Sequence, residues 1–168
     1  MNPAPSDALL RQVLDAYRQP LRHRRLWAEP GRPLPEGVEG LLDLALAPAA
    51  LGGEAARLRA SPDELAAAIH FFIRQALLAE GNDAHRTLGL TPPATPGQIK
   101  SHYRKLMRLY HPDRPTGGEW GEIYAPKTNR AYGLLRAPGG AGAAPPGARE
   151  APAAWPLPRR RAFRQAAP

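Results

Sequence analysis

Four residues in a row, His111-Pro112-Asp113-Arg114, are the densest chemistry in this chain. Just ahead of them Lys100, Arg104 and Arg108 recur every four residues, with Lys105 alongside. An imidazole and a carboxylate two positions apart can hydrogen-bond each other or a partner, and the proline between them fixes a turn. Catalysis by that pair lacks its other parts: no Ser or Cys nucleophile and no glycine-rich oxyanion loop accompanies it. A metal pair of His102 and His111 is disfavoured because the two are nine apart and face differently on one helix. The plain structural alternative is a capping and turn pair at a helix end. The basic row has no glutamate at i+4 to balance it, so its five charges, Arg114 included, invite an anionic partner, either nucleic acid or an acidic protein face.

These groups must be positioned by helices. From Thr95 to Tyr110, Ile99, Tyr103, Leu106, Met107 and Tyr110 fall on one helical face, which predicts a helix from Pro96 to Tyr110 with that face buried. Pro112 cannot continue it, so His111 ends it and the polar tripeptide stands at a loop tip. Downstream, Asn129-Arg130-Ala131-Tyr132 and Leu134-Leu135 offer a second apolar face to pack antiparallel on the first. Upstream, Ser61-Pro62-Asp63-Glu64 reads as a helix start with a reciprocal cap. Its face of Leu65, Ile69, Phe72, Ile73, Ala76 and Leu77 runs until Gly81 and Asn82. Phe71 points off that face, toward the amino-terminal helices. That face either extends the bundle or forms a docking groove for a client.

The ends are less specified. Ser6 caps a helix carrying Leu9, Leu10, Val13, Leu14 and Tyr17, which Pro20 stops. A basic run follows, Arg22-His23-Arg24-Arg25, then a proline-rich loop from Glu29 to Glu36, then a short helix over Leu41 to Leu46. After Arg136 the chain is mostly Ala, Pro and Gly and ends in the cluster Arg159, Arg160, Arg161 and Arg164, a composition that cannot offset its ordering entropy. We therefore expect an all-helical fold in four parts: an amino-terminal helical region (1–60), a leading amphipathic helix (61–82), a compact helical unit (83–136) and a disordered basic tail (137–168).

Composition narrows the function classes. The chain has 168 residues with 23 basic against 15 acidic groups, a formal charge of +8, 21 prolines and no cysteine. Thiolate catalysis, zinc ribbons, iron–sulfur sites and disulfide frameworks are excluded. The most apolar run, Leu65 to Leu78, is too short and too polar to span a bilayer, and the start does not read as a signal peptide, so a cytoplasmic protein is expected. The Ala, Gly, Pro and Arg bias is typical of GC-rich bacterial genomes. No cofactor is called for.

The segment from Asp83 to Arg136 resembles the J-domain of DnaJ-type co-chaperones. The resemblance rests on Leu88-Gly89 ending a short first helix, the basic amphipathic second helix, His111-Pro112-Asp113, and Asn129-Arg130-Ala131-Tyr132 on a third helix, in that order and at matching spacing. It implies binding to a DnaK-type ATPase chaperone and stimulation of its ATP hydrolysis, not enzymatic activity of the chain itself. Lys100, Arg104, Lys105 and Arg108 would then dock on an acidic chaperone surface. His111 and Asp113 would disturb its interdomain linker, while Pro112 holds the turn and Arg114 and Tyr103 assist. Three departures stand out. His85 replaces a common tyrosine. Ala125 replaces an aromatic, and Pro126 follows it, which implies a shortened third helix beginning near Pro126 with Trp120, Ile123 or Tyr124 supplying the packing. No further domain of the larger family members follows, so the resemblance is to J-domain-only members, with the client unnamed. The alternatives are a basic nucleic-acid-associated helical protein and a degenerate scaffold that binds the chaperone without stimulating it.

Overall fold

In the computed structural model, residues 5–23, 33–111 and 118–136 are described. The helix α1 spans Asp7–Arg18, α2 Val38–Leu46, α3 Leu51–Arg57 and α4 Pro62–Phe72. The short α5 spans Ala84–Thr87, α6 Pro96–Tyr110 and α7 Gly118–Arg136. Among the described residues there is no strand, so the fold is all-α. No helix among them is long and apolar enough to cross a membrane. The expected tail, the loop from Glu29 to Arg32 and Arg24-Arg25 lie outside the described residues.

Local chemistry accounts for most boundaries. Ser6 caps α1 by accepting from the Leu9 amide at 3.2 Å, and α1 stops at Arg18, before Pro20. Ser61 caps α4 through the Glu64 amide at 3.0 Å. The reciprocal half of that cap does not form. The Glu64 carboxylate instead takes both arms of the Arg18 guanidinium, at 2.8 and 2.9 Å, tying α4 to α1. A complete capping box sits at the start of α6, where Thr95 and Gln98 each satisfy the other's amide. The leading helix does not run as α-helix to Gly81: after Phe72 it continues as a π-helical turn over Ile73–Leu77. The Asn82 amide then donates to the carbonyls of Ala76 and Leu77, both at 2.9 Å.

Packing joins the parts into one core. The helix α4 lies against α1 and α3, α2 against both α4 and α6, α6 against α7, and α5 against α7. Leu10, Leu41, Leu42, Leu65, Ile69, Leu77, Leu88 and Leu106 are all fully buried in the same apolar cluster. The leading face is therefore core, and Phe71 meets Tyr17 of α1 edge to face at 5.8 Å. Of the described glycines, Gly89 has the least room for a side chain, and its φ is +74°. A Cβ there would lie 3.0 Å from Val38 Cγ1 and 3.2 Å from Leu77 Cδ1.

Two substitutions test this account by urea denaturation. Gly89→Ala is expected to cost about 1–2 kcal/mol or more, from the left-handed backbone and the crowding together. Thr95→Ala should cost about 1 kcal/mol through the lost cap.

Candidate functional site

The site is built on the far end of α6. Tyr110, the last residue of that helix, is buried. Its hydroxyl lies 3.2 Å from His70 Nδ1 on α4, and its ring meets Tyr124 of α7 edge to face at 5.6 Å. Burial pushes the Tyr110 phenol well above its ordinary range. With the helix end held from two sides, His111 leaves it in an extended conformation, φ −70° and ψ 133°, as a residue before proline must. Its side chain is half-buried. Pro112, Asp113 and Arg114 lie outside the described residues.

Going around α6, Lys100, Arg104 and Arg108 are exposed. None of the three has an acidic partner among the described residues. Together with Gly97, Ser101 and Lys105 they line a shallow groove of about 260 Å³. Lys105 behaves differently. Its side chain is only 14% exposed, and its ammonium bridges Glu39 at 2.9 Å and Asp43 at 2.7 Å, both on α2. The expectation of an uncompensated row is thus corrected at this position: the counter-charges come from another helix rather than from i+4 on the same one. Glu39 and Asp43 carried no signal of their own in the sequence, because they stand more than sixty residues away.

The buried stripe of α6 is Ile99, His102, Leu106, Leu109 and Tyr110. Tyr103 and Met107, expected within it, are half-buried at its edge. The physical reason is that α6 packs against α2 as well as α7, which turns the buried arc toward His102 and Leu109. His102 Nδ1 lies 2.8 Å from the Leu88 carbonyl, so that nitrogen carries the proton and donates. Its Nε2 stands 3.7 Å from Glu39. Among the described residues no group of three His, Asp or Glu could hold a metal ion.

The helix α7 holds α6 in place. Tyr103 stacks on Tyr132 with ring centroids 4.0 Å apart and donates its hydroxyl to Asn129 Oδ1 at 2.9 Å. Ala131 is buried between them in sequence, while Arg130 is exposed. The expected shortening at Pro126 is corrected: α7 begins at Gly118 and Pro126 lies inside it. An interior proline costs a helix roughly 3 kcal/mol. Burial of Tyr124, Ala125, Thr128 and Ala131 along the same segment opposes that cost. Trp120 stacks on Tyr124, with the Arg74 guanidinium over its ring at 4.9 Å, so the missing aromatic is supplied one turn earlier.

A three-helix unit in which a basic helix ends at an extended histidine before proline defines a class. Residues 83–139 match the DnaJ domain family model. Chaperone protein DnaJ of Methylobacterium radiotolerans is 43% identical over 53 residues, which is 32% of this chain and 14% of that protein. Co-chaperone protein DjlA of Coxiella burnetii is 54% identical over 33 residues, 20% of this chain and 12% of that protein. Protein NolC of Rhizobium fredii is 39% identical over 56 residues, 33% of this chain and 14% of that protein. The chain spans about 14% of the length of the curated relatives it matches first. No solved structure gives a significant match. Residues 83–139 carry a DnaJ domain; α2 and the π-helical turn pack against its helices, while α1 and α3 pack against α4.

One buried imidazole, His102, and one half-buried, His70, make stability depend on pH. Burial pushes His102 and His70 below the ordinary histidine range, the nearby Arg74 adding to the effect at His70. A depressed folded pKa means the unfolded chain binds protons that the folded chain resists. Stability is therefore full above the unfolded value, about 6.5, and declines as pH falls below it. Urea midpoints should fall between neutral pH and pH 5.5, and His70→Gln should remove part of that slope.

Proposed function

We propose that this chain is a co-chaperone, non-enzymatic itself, that binds a DnaK-type ATPase chaperone and stimulates its ATP hydrolysis. The observation that carries the reading is the placement of three exposed cations, Lys100, Arg104 and Arg108, on the face of α6 that leads to His111 in its extended pre-proline conformation. On this reading the cations dock on an acidic chaperone surface, with Lys105 at their margin. His111 and Asp113 supply polar contacts to the chaperone's interdomain linker, Pro112 holds the turn, and Arg114 adds a charge beyond it. Tyr103, fixed by Tyr132 and Asn129, keeps the third helix in register with the docking helix.

The chemistry of hydrolysis belongs to the partner. A protein without catalytic groups accelerates it only by binding the hydrolysis-competent state more tightly than the resting one, and that difference in binding free energy is the whole of its contribution. Electrostatic docking sets the encounter rate, and the loop sets which state is favoured. The same reading places the chain beside its partner in the bacterial cytoplasm and assigns it a client of its own.

Single-turnover ATP hydrolysis by a bacterial DnaK-type chaperone tests this. The wild-type protein should accelerate turnover, less so at high salt, and His111→Gln should abolish the effect while leaving net charge at neutral pH nearly unchanged. A folded wild-type protein that binds the chaperone but leaves turnover flat is a scaffold. One that binds RNA equally well with and without the histidine is a nucleic-acid-associated protein. Either result replaces the proposal.

A further inference from the structure

We infer that α2 is a built-in competitor for the basic groove, with Glu39 and Asp43 standing where acidic groups of a docking partner would bind. The inference concerns regulation of the site just assigned and so rests on that assignment for the partner's identity, though not for the masking itself.

Three observations carry it. Lys105 lines the same groove as Lys100, Arg104 and Arg108, yet it alone of the four is screened from solvent and bridged by two carboxylates. Those carboxylates are themselves open to water, Glu39 at 26% and Asp43 at 45%. Ion pairs open to water hold weakly and exchange readily for an equivalent partner. And α2 does not depend on them for its place: Leu41 and Leu42 are fully buried, and Val38 packs against the position of Gly89. The carboxylates can therefore release Lys105 by rotating their side chains while the helix stays docked.

In this arrangement the groove of the resting protein presents three cations to a partner and keeps a fourth in reserve, with two negative charges at its rim that repel any acidic surface. A partner whose own carboxylates reach Lys105 gains a contact and loses that repulsion. A weakly acidic surface meets only the reduced field. The groove thus discriminates by the density of negative charge offered to it, which is specificity obtained through a repulsive element.

The test uses the full chain with Glu39→Gln and Asp43→Asn together, and a fluorescent decaglutamate peptide as the probe. The control variant, Asp7→Asn with Glu54→Gln, removes the same charge from two acids that face Arg57 instead of the groove. At low salt the first variant should bind the peptide roughly threefold to tenfold tighter than wild type. The control should change much less, and adding Lys105→Gln to the first variant should erase the gain. High salt should collapse all differences. Equal peptide affinity for wild type and the Glu39/Asp43 variant, both folded by circular dichroism, would overturn the inference, as would a gain matched by the control. The same proteins assayed with the DnaK-type chaperone separate the two readings. A peptide gain without any chaperone response in either protein leaves masking established and removes the partner assignment.

Discussion

At Gly89 the chain turns with positive φ, and Val38, Leu77 and His102 all stand within 3.5 Å of where a side chain would begin. Four elements meet there: the end of α5, the start of α2, the π-helical turn and the middle of α6. A methyl group has no place among them. The neighbouring Leu88 carbonyl accepts a hydrogen bond from His102 Nδ1, so the same turn fixes both the position of α6 along its axis and its rotation about it. The rotation decides which residues face water, and hence that Lys100, Arg104 and Arg108 form an open row while Lys105 turns toward α2. The open cationic face is a consequence of a crowded turn more than 10 residues upstream.

How much of this was legible in the sequence depends on the range of each interaction. Ser6 and Ser61 act within one turn of chain, and the helices they cap start where read, at Asp7 and Pro62. The π-helical turn was hidden because Ile73, Ala76 and Leu77 are buried whether the helix is α or π, so apolar spacing alone does not separate the two. Glu64 chose Arg18, 46 residues away, over its own cap, and Lys105 found Glu39, 66 residues away. Neither choice has a local signature. Pro126 misled for the opposite reason: a strong local rule was outweighed by burial of its neighbours on both sides in sequence. Of the candidate site itself, His111, Lys100, Arg104 and Arg108 lie where the periodicity put them, because a regular helix carries its own coordinates.

Tyrosines do much of the joining between layers. Tyr103 fixes α7 to α6 near its middle, and Tyr110 and Tyr124 do so at the end where His111 departs. The hydroxyl of Tyr110 reaches back to His70 on α4, and Arg74, one turn further on, covers Trp120. Through this column the amino-terminal layer touches the helix pair that carries the site at both of its members. The added helices are thus coupled to the geometry of the basic face rather than appended beside it.

The π-helical turn has a consequence of its own. A π turn holds about 4.4 residues where an α turn holds 3.6, so it stores close to one extra residue of rotational phase. The helix before it packs against α1 and α3, while the turn itself meets α5 and ends on Leu77 and Leu78, buried in succession. The turn is a rotary adapter between two layers with different azimuths. Rewinding the same five residues, Ile73–Leu77, as α-helix would lengthen the helix only slightly, yet swing everything beyond it by about 90°. In this helix, phase rather than length is what the surrounding fold holds constant.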